Sequence, residues 1–479
     1  MLRKLLSLLL IVPALPLLLR AQQTTEYPTD GLSPAFHAGR RAAFRDLMPK
    51  NSVGIFFASQ VRVRNNDVDY LYAQSKNFYY LTGLEEPNSL LLIFKEPTTI
   101  LGKTGNEFIF VQNRNPSREM WTGKIFGVDG VKENFKFENV FTNDKFDANT
   151  LDLSKFDSVF TLFRNEQVMY KGGRDELSRM ANIVDSAITS LTKPGTTAPA
   201  PNRGGPVANS PLSRNTSAMM SKLRGVKQPE EIAILEKVVA MSAKGHSETM
   251  KAVKPGMTEY QAQAVMEYFF KKGGSEFVGY PSINGSGENA CTLHYESNQR
   301  LMGNGDLLLS DCAAEYHGYS ADVTRTIPVN GKFSPEQKIL YELVLEAQDS
   351  AFLQCKSGNG SSDPHRAAVR VITSGLKKLG IISTDADVRI YFPHGTSHGL
   401  GLDVHDPNPA RLVPGAVFTV EPGIYIPSNS KCDKKWWGIG IRIEDDILIT
   451  NDGYKNLSAA APRTVADIEK IMKQKSIFD

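Results

Sequence analysis

Acidic residues recur inside runs of this chain that should be buried, and that feature limits the folds open to it. Leu307-Leu308-Leu309-Ser310-Asp311 ends an apolar strand-like run (Gly305 to Cys312) on an aspartate. Asp322 lies in a second strand-like run, Tyr319 to Val329. A tight return over His317-Gly318 would set the two aspartates on neighbouring antiparallel strands. Val417, Thr419 and Glu421 share strand parity, as do Arg442 and Glu444, while Ile441 and Ile443 face the other way, into the core. A carboxylate buried beside apolar strand residues is costly unless it is paired or bound to metal. Arg325 and Arg442 alone do not balance four carboxylates, whereas two divalent ions match them charge for charge. Any one of these acids, taken singly, would be read as a surface ion-pair partner. The ensemble is not, because each sits where its strand should be half-buried.

The surrounding pattern is an α+β one. Pro229 opens a helix with Ile232, Leu235, Val238 and Val239 on one face, and Thr258-x-x-Gln261 is a capping box before another. Strand-like runs follow. The order then repeats, with Ser334-Pro335-x-Gln337 and Asp363-Pro364 opening helices and strand-like Ala416–Pro422 and Gly438–Thr450 closing the set. Helix, helix, strand, strand occurring twice predicts two similar halves around one sheet. Upstream, residues 30–192 mix a helix (Ala35–Leu47) with strands at Ser52–Ala58, Ser89–Phe94, Phe108–Gln112 and Ser158–Phe163. Residues 193–217, rich in Pro, Gly, Ser and Asn, read as a linker between this region and a domain at 218–462, with a C-terminal helix or tail at 463–479.

Composition supports globular domains with real cores: 479 residues, 41% hydrophobic and 22% charged. It excludes wholesale disorder, collagen and coiled coil. Four cysteines are too few for a disulfide scaffold. The formal charge of +3 is too small to argue for nucleic acid. Even that charge is unevenly placed. Residues 1–21 have a basic start (Arg3, Lys4), an apolar run from Leu5 to Leu19 broken by Pro13 and Pro16, and small Ala21 at the cleavage position. This is the pattern of a secretory signal peptide, and it is too short and proline-broken for a membrane anchor. The expectation is a secreted or periplasmic protein with no stable membrane insertion. Without residues 1–21, 52 basic residues face 52 acidic ones.

Of eight histidines, three fall within the twelve residues 394–405. His394-x-x-x-His398 has metalloprotease spacing, but Gly395 stands where the glutamate of that helix motif belongs. Gly395-x-Ser397-x-Gly399 fits a nucleophile elbow, yet the last histidine comes only at His405, too soon for that architecture. Gly285-x-Gly287-x-x-Ala290 precedes an extended-looking segment rather than the helix a dinucleotide site needs. One histidine with four carboxylates is an oxygen-rich donor set that favours Mn²⁺.

The stretches Gly287-Glu-Asn-Ala-Cys-Thr-Leu-His294-Tyr, Asp311 to Arg325, His394-Gly-Thr-Ser-His398 to Asp406, Val420-Glu421-Pro-Gly-Ile-Tyr425 and Gly440-Ile-Arg442-Ile-Glu444-Asp-Asp resemble the pita-bread metallopeptidases, most closely the aminopeptidase P (Xaa-Pro aminopeptidase) family. Asp67-Val-Asp-Tyr70, Phe78-Tyr-Tyr-Leu-Thr-Gly83 and Arg118-Glu-Met-Trp121-x-Gly123 resemble that family's N-terminal domain. The resemblance implies a creatinase-like α/β domain followed by a pita-bread domain with pseudo-twofold halves. It implies two divalent ions held by Asp311, Asp322, His398, Glu421 and Glu444, with Asp322 and Glu444 bridging. His294, His394 and His405 would hold substrate or tetrahedral intermediate and move protons, Glu421 would also act as base, and Arg442 would orient the carboxylates. A hydroxide bridging the metals would attack the bond before a proline at the second position of a peptide. Proline offers no N–H there, so a pocket shaped for its ring is needed. Family members are often dimers or tetramers, and Trp121 would cover a neighbouring subunit's site. Cys312 and Ala313 depart from the usual small residues after the first aspartate, and a thiol there would make the site oxidation-sensitive. Prolidase, which cleaves only Xaa-Pro dipeptides, is the nearest rival, and Ser397 before His398 favours aminopeptidase P over it. A non-catalytic pita-bread binding protein is the rival from another class, and it would have lost ligands this chain retains.

Overall fold

The computed structural model describes residues 30–161, 175–191 and 213–478. The signal-peptide segment and most of the Pro/Gly-rich stretch 193–217 lie outside those residues. From Leu32 onward the chain forms one compact unit.

The N-terminal region opens with α1 (Pro34–Leu47). The Ser33 hydroxyl accepts from the Phe36 N–H at its cap, and Pro34 fills the first turn. There follow β1 (Ser52–Phe57), a small hairpin of β2 (Val63–Asn65) and β3 (Val68–Asp69), α2 (Lys76–Thr82), β4 (Leu90–Ile100), β5 (Lys103–Val111), α3 (Pro116–Thr122), α4 (Gly127–Phe135), β6 (Val140–Thr142), β7 (Ser158–Thr161), α5 (Glu176–Leu191) and β8 (Ser213–Asn215). Six strands form one mixed sheet in the order β6-β5-β4-β1-β7-β8. Val53–Phe57 of β1 and Leu90–Phe94 of β4 are buried at every position, because both faces of the sheet are covered there. Val53, Ile55, Leu90, Leu92 and Phe94 pack towards α5, while Phe56, Leu91 and Ile93 pack with Phe36 and Phe44 of α1. At Gly54 a side chain would press into the Phe44 ring.

The second region runs through α6 (Ser217–Arg224), α7 (Pro229–Ala252), α8 (Glu259–Gly273), β9 (Phe277–Val278), β10 (Ile283–Ser286), β11 (Leu307–Asp311), β12 (Ala314–Tyr316), β13 (Tyr319–Ser320) and β14 (Thr324–Pro328). The order then recurs as α9 (Pro335–Phe352), α10 (Asp363–Lys378), the short α11 (Val388–Tyr391), β15 (Val417–Val420), β16 (Gly423–Ile426), β17 (Ile439–Arg442), β18 (Asp445–Thr450) and β19 (Gly453–Asn456), before α12 (Val465–Ile471). Capping boxes sit at Thr258 and Ser334, and Gly380, at φ 69°, follows α10.

One sequence expectation is corrected here. The strands are not one hydrogen-bonded sheet. They divide into β10-β11-β14, β13-β12-β9, β15-β18-β19 and β16-β17. The two long runs predicted at Tyr319–Val329 and Gly438–Thr450 are each broken, the first at 321–323 and the second at 443–444. Asp322 donates its N–H to Asp446 Oδ2 at 3.1 Å, and Glu444 donates its N–H to Thr324 O at 3.1 Å. Each break therefore exchanges a ladder partner within its own sheet for one in the other half of the region.

Candidate active site

The breaks position the chemistry. Asp311 ends β11, and its antiparallel neighbour is Thr324. Asp322 lies in the gap before β14, Glu421 just past β15, and Glu444 between β17 and β18. At a strand end the backbone is free of the pleat, so acids from four segments can turn towards one point. That point is a cavity of about 490 Å³. All nine residues singled out from the sequence line it: His294, Asp311, Asp322, His394, His398, His405, Glu421, Arg442 and Glu444. Trp121 does not. It is 89% exposed on α3.

The hydrogen bonds fix how these groups present themselves. His398 Nδ1 lies 3.1 Å from Gly399 O, and a carbonyl can only accept, so this nitrogen carries a hydrogen. Nε2 faces Asp322 Oδ2 at 3.4 Å and Glu421 Oε1 at 3.6 Å. Burial works against a charged ring, yet contact with these carboxylates raises His398 to about 9. A ring nitrogen aimed between two acids and held by a proton is what a metal ligand looks like before the metal displaces that proton. Ligating atoms of Asp322, His398 and Glu444 all lie within 4.8 Å of one another. The donor set therefore fits a divalent ion.

The acids bear the strain of their own crowding. Burial, then Asp322, raise Glu444 well above the carboxylate range. Burial raises Glu421 to about 8, with His398 and Arg442 acting the other way. Arg442, wholly buried, donates to Asp311 Oδ2 at 2.6 Å and to the Tyr425 hydroxyl at 2.8 Å. The His394 Nδ1 hydrogen goes to Gly395 O at 2.6 Å, which leaves Nε2 to accept from the Tyr425 hydroxyl at 2.8 Å. Burial, then Arg442, lower His394 to about 4, so that ring is neutral.

Four supporting residues escaped the sequence reading. The Tyr280 hydroxyl bridges Asp311 Oδ1 at 2.5 Å and Asp322 Oδ1 at 2.7 Å. Thr324 donates to Glu444 Oε2 at 2.6 Å, Tyr425 links Arg442 to His394, and Asp446 receives the Asp322 N–H. Tyrosine and threonine in or between strands carry no signal of their own. The Asp445-Asp446 pair opening an apolar strand is the one mark that could have been followed.

The expected oxidation-sensitive thiol is corrected. Cys312 is fully buried and does not line the cavity. It donates to Ile283 O at 3.4 Å and accepts from Asn284 at 3.3 Å, and burial pushes its thiol up. The thiolate that oxidants attack is suppressed.

Comparison with known proteins agrees with this architecture. Residues 233–451 match metallopeptidase family M24, and residues 37–160 match the aminopeptidase P N-terminal domain. The Xaa-Pro aminopeptidase of Escherichia coli is 34% identical over 90% of this chain and 96% of its own length. Human Xaa-Pro aminopeptidase 3 is 32% identical over 94% of this chain and 88% of its own length. The solved structure of Pseudomonas aeruginosa aminopeptidase PepP superposes with a TM-score of 0.79 at 34% identity, covering 92% of this chain and 98% of that one. Zinc-substituted E. coli aminopeptidase P in complex with product gives the same TM-score at 33% identity, with the same coverage.

Proposed function

The chain belongs to the aminopeptidase P family of M24 metallopeptidases, and from that premise we propose a full reading of its cavity. It is a metallo-aminopeptidase that releases the N-terminal residue from peptides with proline second. Asp311, Asp322, His398, Glu421 and Glu444 would hold two divalent ions, Mn²⁺ by the hardness of the donors. When bound, the ions supply a hydroxide-like nucleophile at neutral pH and polarise the scissile carbonyl.

The chain's own groups do the rest. Glu421, ionised once cations balance its buried charge, takes the proton of the attacking water. Arg442 and Tyr280 fix Asp311 from two sides. His394, kept neutral, has its ring fixed at the cavity wall between Gly395 O and the Tyr425 hydroxyl, and His294 and His405 flank the reacting carbonyl. Tyr280, Pro281, Ile283, Leu293 and Val404 give the cavity an apolar side for a proline ring. The observation that carries this reading is His398, whose Nε2 points between the Asp322 and Glu421 carboxylates.

Export rests on residues 1–21, and N-terminal sequencing of the protein from culture medium or periplasm tests it, with cleavage expected after Ala21. A dimer or tetramer is supported by the exposed Leu71, Met120 and Trp121 of the N-terminal region, with Trp121 reaching a neighbour's site. Light scattering on the purified protein tests that.

The deciding assay compares Xaa-Pro-Yaa with Xaa-Pro peptides, with and without chelator and added Mn²⁺. Tripeptide cleavage that chelation abolishes and Mn²⁺ restores is expected. Cleavage that survives exhaustive metal removal would sink the mechanism, and cleavage of dipeptides alone would make the enzyme a prolidase.

A further inference from the structure

The loop from His398 to His405 is closed on itself. The Asp406 N–H donates to Gly399 O at 2.9 Å, and the Leu400 N–H donates to Val417 O at 3.0 Å. A side chain at Gly399 would overlap the Asp406 carbonyl, and one at Gly401 would overlap its carboxylate. The Asp406 carboxylate therefore fills the loop that carries His405. It is almost wholly buried, with a side chain 2% exposed.

Two cations from a distant segment meet that carboxylate. Arg224, the last residue of α6, donates through Nη2 to Asp406 Oδ1 and to Asp403 Oδ2, the latter at 2.6 Å. Its Nη1 reaches Asn77 Oδ1 of α2 at 2.8 Å. Lys227, fully buried, donates to Asp406 Oδ2 at 2.9 Å, and its own N–H is tied to Gly415 O at 2.8 Å. Both cations lie at the short connection between α6 and α7, at the start of the second region. Neither lines the cavity.

Burying three charges this way, Asp406, Arg224 and Lys227, is a poor route to stability, since apolar residues of equal volume commonly serve as well or better. What the arrangement gives is a fixed geometry. A planar guanidinium spanning three acceptors leaves the loop one position.

We propose that Arg224 and Lys227 are positioning residues for catalysis, which clamp Asp406 and thereby hold the His405 imidazole at the mouth of the metal cavity, with Asn77 tying the clamp to the N-terminal region. The role given to His405 rests on the function proposed above. The clamp makes the N-terminal region part of the catalytic geometry rather than a separate cover.

The test is a double-mutant cycle in the metal-loaded, full-length enzyme. Arg224→Lys keeps the buried charge and loses the fork. It should lower kcat/KM about tenfold, chiefly in kcat, since small displacements of a reacting group cost that much or more. In a His405→Ala background the same substitution should change kcat/KM by less than about twofold. Equal losses in both backgrounds would overturn the clamp. His405→Ala as fast as the unaltered enzyme would overturn the role of His405 instead, which separates the two failures. Lys227→Met repeats the cycle should Arg224→Lys not fold. A readout free of turnover is the rate at which diethyl pyrocarbonate modifies His405 in metal-free protein, followed by mass spectrometry. Arg224→Lys should raise it several-fold, and an unchanged rate counts against the clamp.

Discussion

The two regions of this molecule solve burial in opposite ways. The N-terminal sheet is apolar on both faces, and its few buried charges are matched: Arg41 meets Glu107 at 2.6 Å and Leu81 O at 2.8 Å. The second region buries Asp311, Asp322, Glu444, Asp445 and Asp446 among its strands. Arg325 is paired with Asp445 at 2.7 Å, and Arg442 with Asp311. Asp322, Glu421 and Glu444 are left facing one another and one histidine. The first region is stable by its own packing. In the function proposed above, cations complete the second, so its stability and its chemistry share one cause.

The largest effect that would sharpen this contrast is on turnover. Glu421→Gln should lower kcat by about 10³-fold or more, ~4 kcal/mol in the barrier, by removing the proton acceptor and one metal donor. The thermal midpoint should stay within a few degrees, because an amide in that crowded place relieves repulsion. Unfolding of the variant would break the argument that this carboxylate is kept for chemistry and not for the fold. The converse belongs to the other region. Phe108 is fully buried and meets Phe94 edge-on at 5.7 Å. Phe108→Ala should cost about 3–4 kcal/mol in denaturant unfolding and leave kcat per folded molecule within about twofold.

The same division explains what could be read in advance. Helix starts were legible because caps are local: Thr258 with Gln261 and Ser334 with Gln337 each lie within one turn. The candidate ligands were legible because an acid in an apolar strand is an anomaly. The strand breaks at Asp322 and Glu444 were not. Each is made by a partner more than a hundred residues away, Asp446 for one and Thr324 for the other, and no local pattern carries that information. Tyr280 and Tyr425 were missed for the same reason. Their hydroxyls matter only because the fold brings Asp311 and Arg442 to them. Cys312 was misjudged because adjacency to Asp311 was taken for proximity to the site, although neighbouring side chains on an extended backbone face opposite ways.

Metal removal comes next in size. If the second region is completed by cations, Mn²⁺ at about a hundred times its dissociation constant should stabilise it by ~2.7 kcal/mol. Chelation should lower only the calorimetric transition that contains the second region. Amide exchange in β1, β4 and β5 should change little. Equal loosening of both regions would show that the clamp between them, rather than the site, carries the metal's effect.

The smallest effect concerns the one buried histidine of the N-terminal region among the described residues. His37 Nδ1 donates to Tyr80 O at 3.0 Å, and its ring lies against Gly83, where φ is 72° and a side chain would collide with it. Burial, opposed by the Tyr80 carbonyl, lowers His37 to about 4. Between pH 4 and the ordinary histidine value the unfolded chain binds the proton and the folded chain does not. The stabilising contribution is therefore complete above about pH 6.5 and is lost as pH falls towards 4. Between pH 7 and pH 5 the unaltered protein should lose ~2 kcal/mol more than His37→Asn, whose amide can replace the Nδ1 donor without titrating. Denaturant titrations of the two proteins at both pH values measure that difference. A region held by packing alone should otherwise be indifferent to acid in this range. An equal slope in the two proteins would mean that the acid-sensitive groups lie in the second region, where the carboxylates are.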